Sequence, residues 1–153
     1  MNRVLYEPSG AALTQVEQGQ RLVALAKLFL KRLEIDRAEL SLTLVDNRRM
    51  RAINRRWRGK DTPTDVISFP GGPSVGPGLR SLGDIVISFT TAKQAARDFD
   101  STLEHELALY LAHGLLHLLG FDHQTPRGAR AMQRREAFLL GHTGMLSRSD
   151  EVD

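Results

Sequence analysis

From Thr102 to Leu119 the chain places leucines and alanines on nearly every side of a helix. A helix that is apolar all round lies inside a fold rather than on it, so the rest of the chain is expected to wrap around this element. Leu109, Leu111, Leu115, Leu116, Leu118 and Leu119 give it that character, yet His113 and His117 interrupt it. Residues four apart sit roughly 40° apart on one helical face, one turn above the other. Gly120 then supplies a residue that readily takes a left-handed backbone and ends a helix, and the returning chain brings His123 toward the same point. A lone histidine on a Leu-rich helix is ordinarily a hydrogen-bonded core residue, and a pair at this spacing can be chance. A third beyond a helix-ending glycine turns the run into three converging imidazoles, the protein half of a catalytic metal site with an open fourth position.

The spacing also matches the metzincin zinc pattern H-E-x-x-H-x-x-G-x-x-H at every position but one. Gly114 stands where those proteases carry their glutamate base. The ligands are present and the peptidase base is missing, which argues against amide cleavage.

At 153 residues the chain reads as one domain over 1–153, long enough for a core. It is 41% hydrophobic and 25% charged, which excludes wholesale disorder. No apolar run reaches the ~18 residues of a membrane span, and no membrane partner is expected. Met1 to Tyr6 is followed at once by Glu7 and Pro8, which does not read as a signal peptide. The absence of cysteine excludes thiolate zinc sites and disulfides, and it fits a cytoplasmic location.

Net charge is only +3, but its placement matters. Arg48, Arg49, Arg51, Arg55, Arg56, Arg58 and Lys60 run without an acidic residue until Asp61, and Arg127, Arg130, Arg134 and Arg135 follow the histidines. Either cluster alone is commonly a solvated helix face. Two clusters beside a metal-site candidate point to a polyanionic substrate, nucleic acid first.

Periodicity predicts strands over Met1–Tyr6, Glu39–Val45, Asp65–Pro70 and Asp84–Phe89. It predicts helices over Gln15–Leu33, from the cap Asp46 to Trp57, after a cap at Thr90 or Thr91, over Thr102–Leu119, and over Pro126–Leu140. Met50, Ile53, Asn54 and Trp57 share one side of the basic helix, so Trp57 is expected to anchor in the core rather than to stack on bases. Gly71 to Gly78 reads as a flexible connection without phosphate-loop spacing, and the tail from Thr143 as polar and frayed. The order implies an α/β (α+β) domain: a small mixed sheet of about four strands, about five helices, and a three-histidine site at the end of a central helix.

His113 to His123 resembles the H-G-x-L-H-L-x-G-[YF]-D-H signature of the YbeY family of metal-dependent endoribonucleases. Asn54 to Pro70 is similar to that family's N-x-x-x-R-x-x-x-x-P-T-D-V-L-S-F-P segment, Leu82 to Ser88 to its L-G-D-I-x-I-S strand, and Met132 to Glu136 to the Met-x-x-x-Glu of its last helix. Phe121 stands where tyrosine is common, and the first forty residues match only in pattern. The resemblance implies one Zn²⁺ per chain on His113, His117 and His123, with Arg58 important for activity. It also implies single-stranded RNA as substrate, with a place in 3′-end maturation of small-subunit ribosomal RNA and in ribosome quality control.

A cation on three histidines can bring the pKa of bound water down toward ~7, which answers the missing glutamate. Arg58 is expected to fork onto the non-bridging phosphate oxygens, while Arg48, Arg55, Arg56 and Lys60 bind the RNA backbone. DNA is not expected as a partner. Attack by water and by the RNA 2′-hydroxyl both remain open, and only the latter leaves a cyclic phosphate. Asp122 can orient a ligand ring or cap the turn. His105 is placed outside the site, and His142 has no evident partner. The main rival is a non-catalytic RNA-binding assembly factor with a structural zinc, which would call for a fourth protein ligand.

Overall fold

The computed structural model describes residues 1–72 and 78–141. The centre of the Gly/Pro connection and the tail, both read above as flexible or frayed, lie outside them, as does His142. Strand β1 (Arg3–Pro8) leads through a short 3-10 turn (Gly10–Thr14) to helix α1 (Val16–Arg32) and strand β2 (Ala38–Val45). Helix α2 (Asn47–Arg58) precedes strands β3 (Val66–Pro70) and β4 (Arg80–Ser88), and helices α3 (Phe89–Asp98), α4 (Leu103–Leu118) and α5 (Pro126–Gly141) complete the order. The sheet order is β1-β2-β4-β3: β1, β2 and β4 run parallel, and β3 is an antiparallel edge. The expected α/β architecture is present, with four strands and five α-helices among the described residues.

Alternation along the strands divides the interior into two layers. Leu40, Leu42, Leu44, Ile85 and Ile87 join the large core beneath α1, α3, α4 and α5. Val45, Ile67 and Val86 turn the other way and meet Met50 of α2. As the run of leucines requires, α4 is the central helix, with Leu107, Leu111, Leu115 and Leu116 fully buried. Thr102 caps it by accepting from His105 N–H at 3.1 Å, and Glu104 and Glu106 in its first turn favour the positive end of the helix. Asp46 caps α2 as read from sequence, accepting from Arg49 N–H at 2.9 Å. A second bond to Asp46, from Ala11 N–H at 3.1 Å, ties the 3-10 turn to that helix.

Three expectations need correction. Trp57 is not a core anchor: it is 61% exposed, although Met50 and Asn54 on the same side are buried. Its indole lies one turn beyond Asn54, edge-on to Phe69 of β3, with most of its surface open. The cap of α3 is Ser88, which accepts from Thr91 N–H at 3.2 Å, rather than Thr90 or Thr91. Ser88 and Thr91 also donate to Asn47 Oδ1 at 2.7 Å each, which joins α3 to the start of α2. Finally, β4 begins at Arg80, four residues before the expected Asp84. Gly83, with φ of +128°, carries the strand through a shift in register, and a side chain there would strike Phe69 O.

Candidate metal centre

The C-terminal end of α4 places His113 and His117 on one face, and a Schellman turn returns the chain to His123. Gly120 N–H donates to His117 O and Phe121 N–H to Leu116 O, each at 3.0 Å, with Gly120 at φ of +97°. The three rings converge, with centroids 4.8 Å (His113–His117), 5.6 Å (His113–His123) and 5.2 Å (His117–His123) apart. One ligand nitrogen from each lies within 4.8 Å of the others. These donors suit a metal ion. Burial, followed by the neighbouring His113 and His123, lowers the His117 pKa from its ordinary value, which keeps the imidazole neutral and its lone pair available.

Glu136 of α5 was not singled out as a site residue by its own chemistry. Its Oε1 lies 3.2 Å from His113 Nδ1. A proton on Nδ1 donated to that carboxylate leaves Nε2 as the ligating atom, the usual way an outer carboxylate fixes a ligand ring. Asp122 takes the turn-capping option: its Oδ1 accepts from Gln124 N–H at 2.8 Å. His105 sits buried in the first turn of α4 and lines neither cavity beside the three histidines.

Gly114 faces the sheet. A Cβ at this position would lie 2.8 Å from Ile85 Cγ2, 3.1 Å from Ser68 Oγ and 3.2 Å from Val66 Cγ2. Ser68 Oγ donates to Gly114 O at 2.9 Å, bonding the helix directly to the edge strand. The position where a metzincin carries its glutamate is thus filled by the β3–β4 surface.

The histidines open into a cavity of about 640 Å³ whose lining includes Arg58, Thr64, Asp65, Ser68 and Asp122. A smaller cavity of about 270 Å³ shares His113 and His123 and adds Tyr110, Gln133 and Glu136. Burial, with the Asp65 carboxylate nearby, pushes the Tyr110 hydroxyl up to about 12, so it stays protonated. Arg58 reaches the larger cavity because Gly59, at φ of +68°, ends α2 at the cavity rim. The following loop is held from the helix side: Asn54 Nδ2 donates to Thr62 O at 2.8 Å, and Arg51 forks onto Asp61 at 2.9 and 3.0 Å.

The structure does not bring the other predicted cations into the cavity. Arg48, Arg55, Arg56 and Lys60 are exposed and absent from its lining. Spacings of three, four and three put Arg48, Arg51, Arg55 and Arg58 along one stripe of α2. Arg56 lies elsewhere, with its Cζ 5.2 Å from the Trp57 ring centroid. Among the described residues no helix is long and apolar enough to cross a membrane.

Residues 10–144 match the family model described as Endoribonuclease YbeY. A curated Myxococcus xanthus protein named Endoribonuclease YbeY is 54% identical over 134 residues, covering 86% of this chain and 46% of that protein. An Anaeromyxobacter protein of the same name is 50% identical over 127 residues, covering 83% of this chain and 66% of its own length. The chain thus spans roughly half to two thirds of these relatives. A solution structure of a Thermotoga maritima protein superposes with a TM-score of 0.57 at 25% identity, covering 94% of this chain and 92% of that one.

Proposed function

We propose that this chain, which belongs to the YbeY family, is a metal-dependent endoribonuclease acting on single-stranded RNA. Its proposed role is in small-subunit ribosomal RNA maturation, at the 3′ end in particular, and in ribosome quality control in the cytoplasm. The observation that carries the reading is the joint placement of three imidazoles and one arginine around a single cavity. The ligands proposed for one Zn²⁺ are His113, His117 and His123. Three imidazoles, one of them oriented by Glu136, suit zinc chemically. When bound, such an ion supplies Lewis acidity and lowers the pKa of water toward ~7.

The chain's own residues supply the remaining steps. Arg58, in the cavity lining, binds the non-bridging oxygens of the scissile phosphate through its planar fork and stabilises the charge that develops there. Arg48 and Arg55 continue the same helical stripe as phosphate contacts, and Arg56 and Lys60 are proposed as further backbone contacts outside it. Phosphate contacts position a strand without reading its bases, in keeping with a preference for single strands rather than for a sequence. The Gly114 cradle supports phosphodiester rather than peptide substrates, because no carboxylate base fits there.

Cleavage of unstructured RNA by purified, chelated and zinc-restored protein tests the reading, with His117→Ala prepared in parallel. Chelation and His117→Ala should each abolish cleavage, and zinc should restore only the parent. Cleavage by His117→Ala at the parent rate would overturn the proposal. Single-strand binding should weaken with salt at a slope of ~0.7 per phosphate contacted. Neutralising Arg48, Arg55 and Arg56 together should flatten that slope while metal content stays constant.

A further inference from the structure

Trp57 is the one tryptophan in the chain, and the fold does not bury it. Helical periodicity aligns it with Met50 and Asn54, both buried, yet 61% of its surface remains open. Its ring meets the Phe69 ring, edge-on at 5.8 Å between centroids and 72° between planes, and the guanidinium of Arg56 at 5.2 Å. Exposing most of an indole gives up one of the largest apolar surfaces a side chain can bury.

Its location supplies a use. β3 is an edge strand whose alternate residues face opposite ways. Val66 and Ser68 meet Gly114 of the metal-bearing helix, whereas Ile67 and Phe69 turn to the α2 side. Trp57 therefore stands across the β3 edge from the histidines. Arg58, its neighbour in sequence, reaches over that edge to line the cavity, as do Ser68 and Pro70 on either side of Phe69. A strand leaving the cavity by way of Arg58 meets the indole next.

We propose that Trp57 is a stacking platform: its exposed indole, edged by Phe69 and flanked by Arg56 and Arg58, takes a nucleobase of the single-stranded RNA whose phosphate lies on Arg58. The inference rests on the endoribonuclease reading and adds how the strand is gripped beside the reacting phosphate. Charge selects this occupant over an apolar protein segment, since Arg55, Arg56, Arg58 and Lys60 surround the ring in sequence and are all exposed. Aromatic faces interleaved with cations are how sequence-tolerant single-strand binders grip their ligands, because every base offers a π-face. Asp84 lies opposite Phe69 in the β3–β4 register. Its carboxylate would repel a phosphate there, which turns the base, rather than the backbone, toward the rings.

Because no other tryptophan contributes, intrinsic emission reports on this residue alone. The probe is a labelled single-stranded 2′-O-methyl 12-mer, alongside an abasic strand of equal length and charge. Titration of the holoprotein should quench emission over the same concentrations that raise the label's anisotropy. The abasic strand should raise anisotropy without quenching. Trp57→Ala should weaken binding by about 5- to 150-fold, as loss of one stacked base does, and Trp57→Phe should recover most of it, with metal content equal in all three proteins. A platform that merely shields Phe69 would shift thermal stability and leave these readouts unmoved. Binding without quenching, or equal affinity for Trp57→Ala, overturns the platform and leaves the nuclease reading standing. No binding of either strand by the metal-loaded parent overturns both.

Discussion

The two helices that build the site, α4 and α2, hold their functional groups on opposite terms. In α4 two of the three proposed ligands, His113 and His117, sit on a central helix whose backbone is bonded to the edge strand, and one position, Gly114, has no room for a side chain. In α2 the cations project into solvent from a helix buried along only one narrow side. The first arrangement fixes where three nitrogens converge, as coordination of an ion demands. The second leaves long flexible side chains free to follow a charged polymer whose shape varies. Arg58 belongs to the second helix by sequence and to the first region by position, since the turn at Gly59 sets it at the cavity rim.

If the helices divide labour in this way, substitutions should separate cleanly. The largest effect is expected at the crossing point. Arg58→Ala should cost about 2.7–4 kcal/mol of transition-state stabilisation, roughly a hundred- to a thousandfold in turnover, with zinc content unchanged. Co-purified metal lost together with activity would place Arg58 in the structural half of the comparison. Next comes Glu136→Gln, which removes the carboxylate on His113 and should weaken zinc by about 10–100-fold, read by competition with a chromogenic chelator. An unchanged affinity would reduce Glu136 to a space-filling role.

Gly114→Ala probes the rigid side without touching a ligand. Overpacking against Ile85, Ser68 and Val66 should destabilise by about 1–3 kcal/mol, visible as a lower midpoint in calorimetry of the metal-free protein. A midpoint equal to that of the parent would show that α4 can shift on the sheet. Asp46→Ala probes the flexible side and should cost about 0.5–2 kcal/mol, the worth of an N-cap. Backbone donors from Arg49, then Ala11, hold the Asp46 carboxyl below its ordinary value. A carboxylate depressed in the folded state stabilises above its unfolded pKa, and that contribution is lost as pH falls through the lower folded value. The gap in midpoint between parent and variant should therefore be full at neutral pH and close in strong acid. A gap that persists there would show that the charge is not what Asp46 contributes.

What could be read from sequence was the chemistry carried by neighbours in the chain. The cap at Asp46, the glycine ending α4 and the convergence of three histidines depend on residues a few positions apart, and the structure shows each of them. Misreadings came where distant surfaces decide. Periodicity puts Trp57 on the buried side of α2 but carries no sign that it meets the edge strand edge-on at Phe69 and stays mostly exposed. The partner of His113 lies 23 residues further on, in another helix, where spacing carries no signal. β4 was cut short because the bulge at Gly83 breaks the alternation that marks a strand.

The eleven-residue origin of the three donors, from His113 to His123, has a thermodynamic consequence. An ion that bridges so short a stretch closes a small ring and removes little entropy from the unfolded chain, because that term grows only slowly with ring size and begins low. Such an ion would act as a clasp on one helix end rather than as a keystone of the whole fold, and its exchange for a competitor is expected to leave the sheet and the other helices intact.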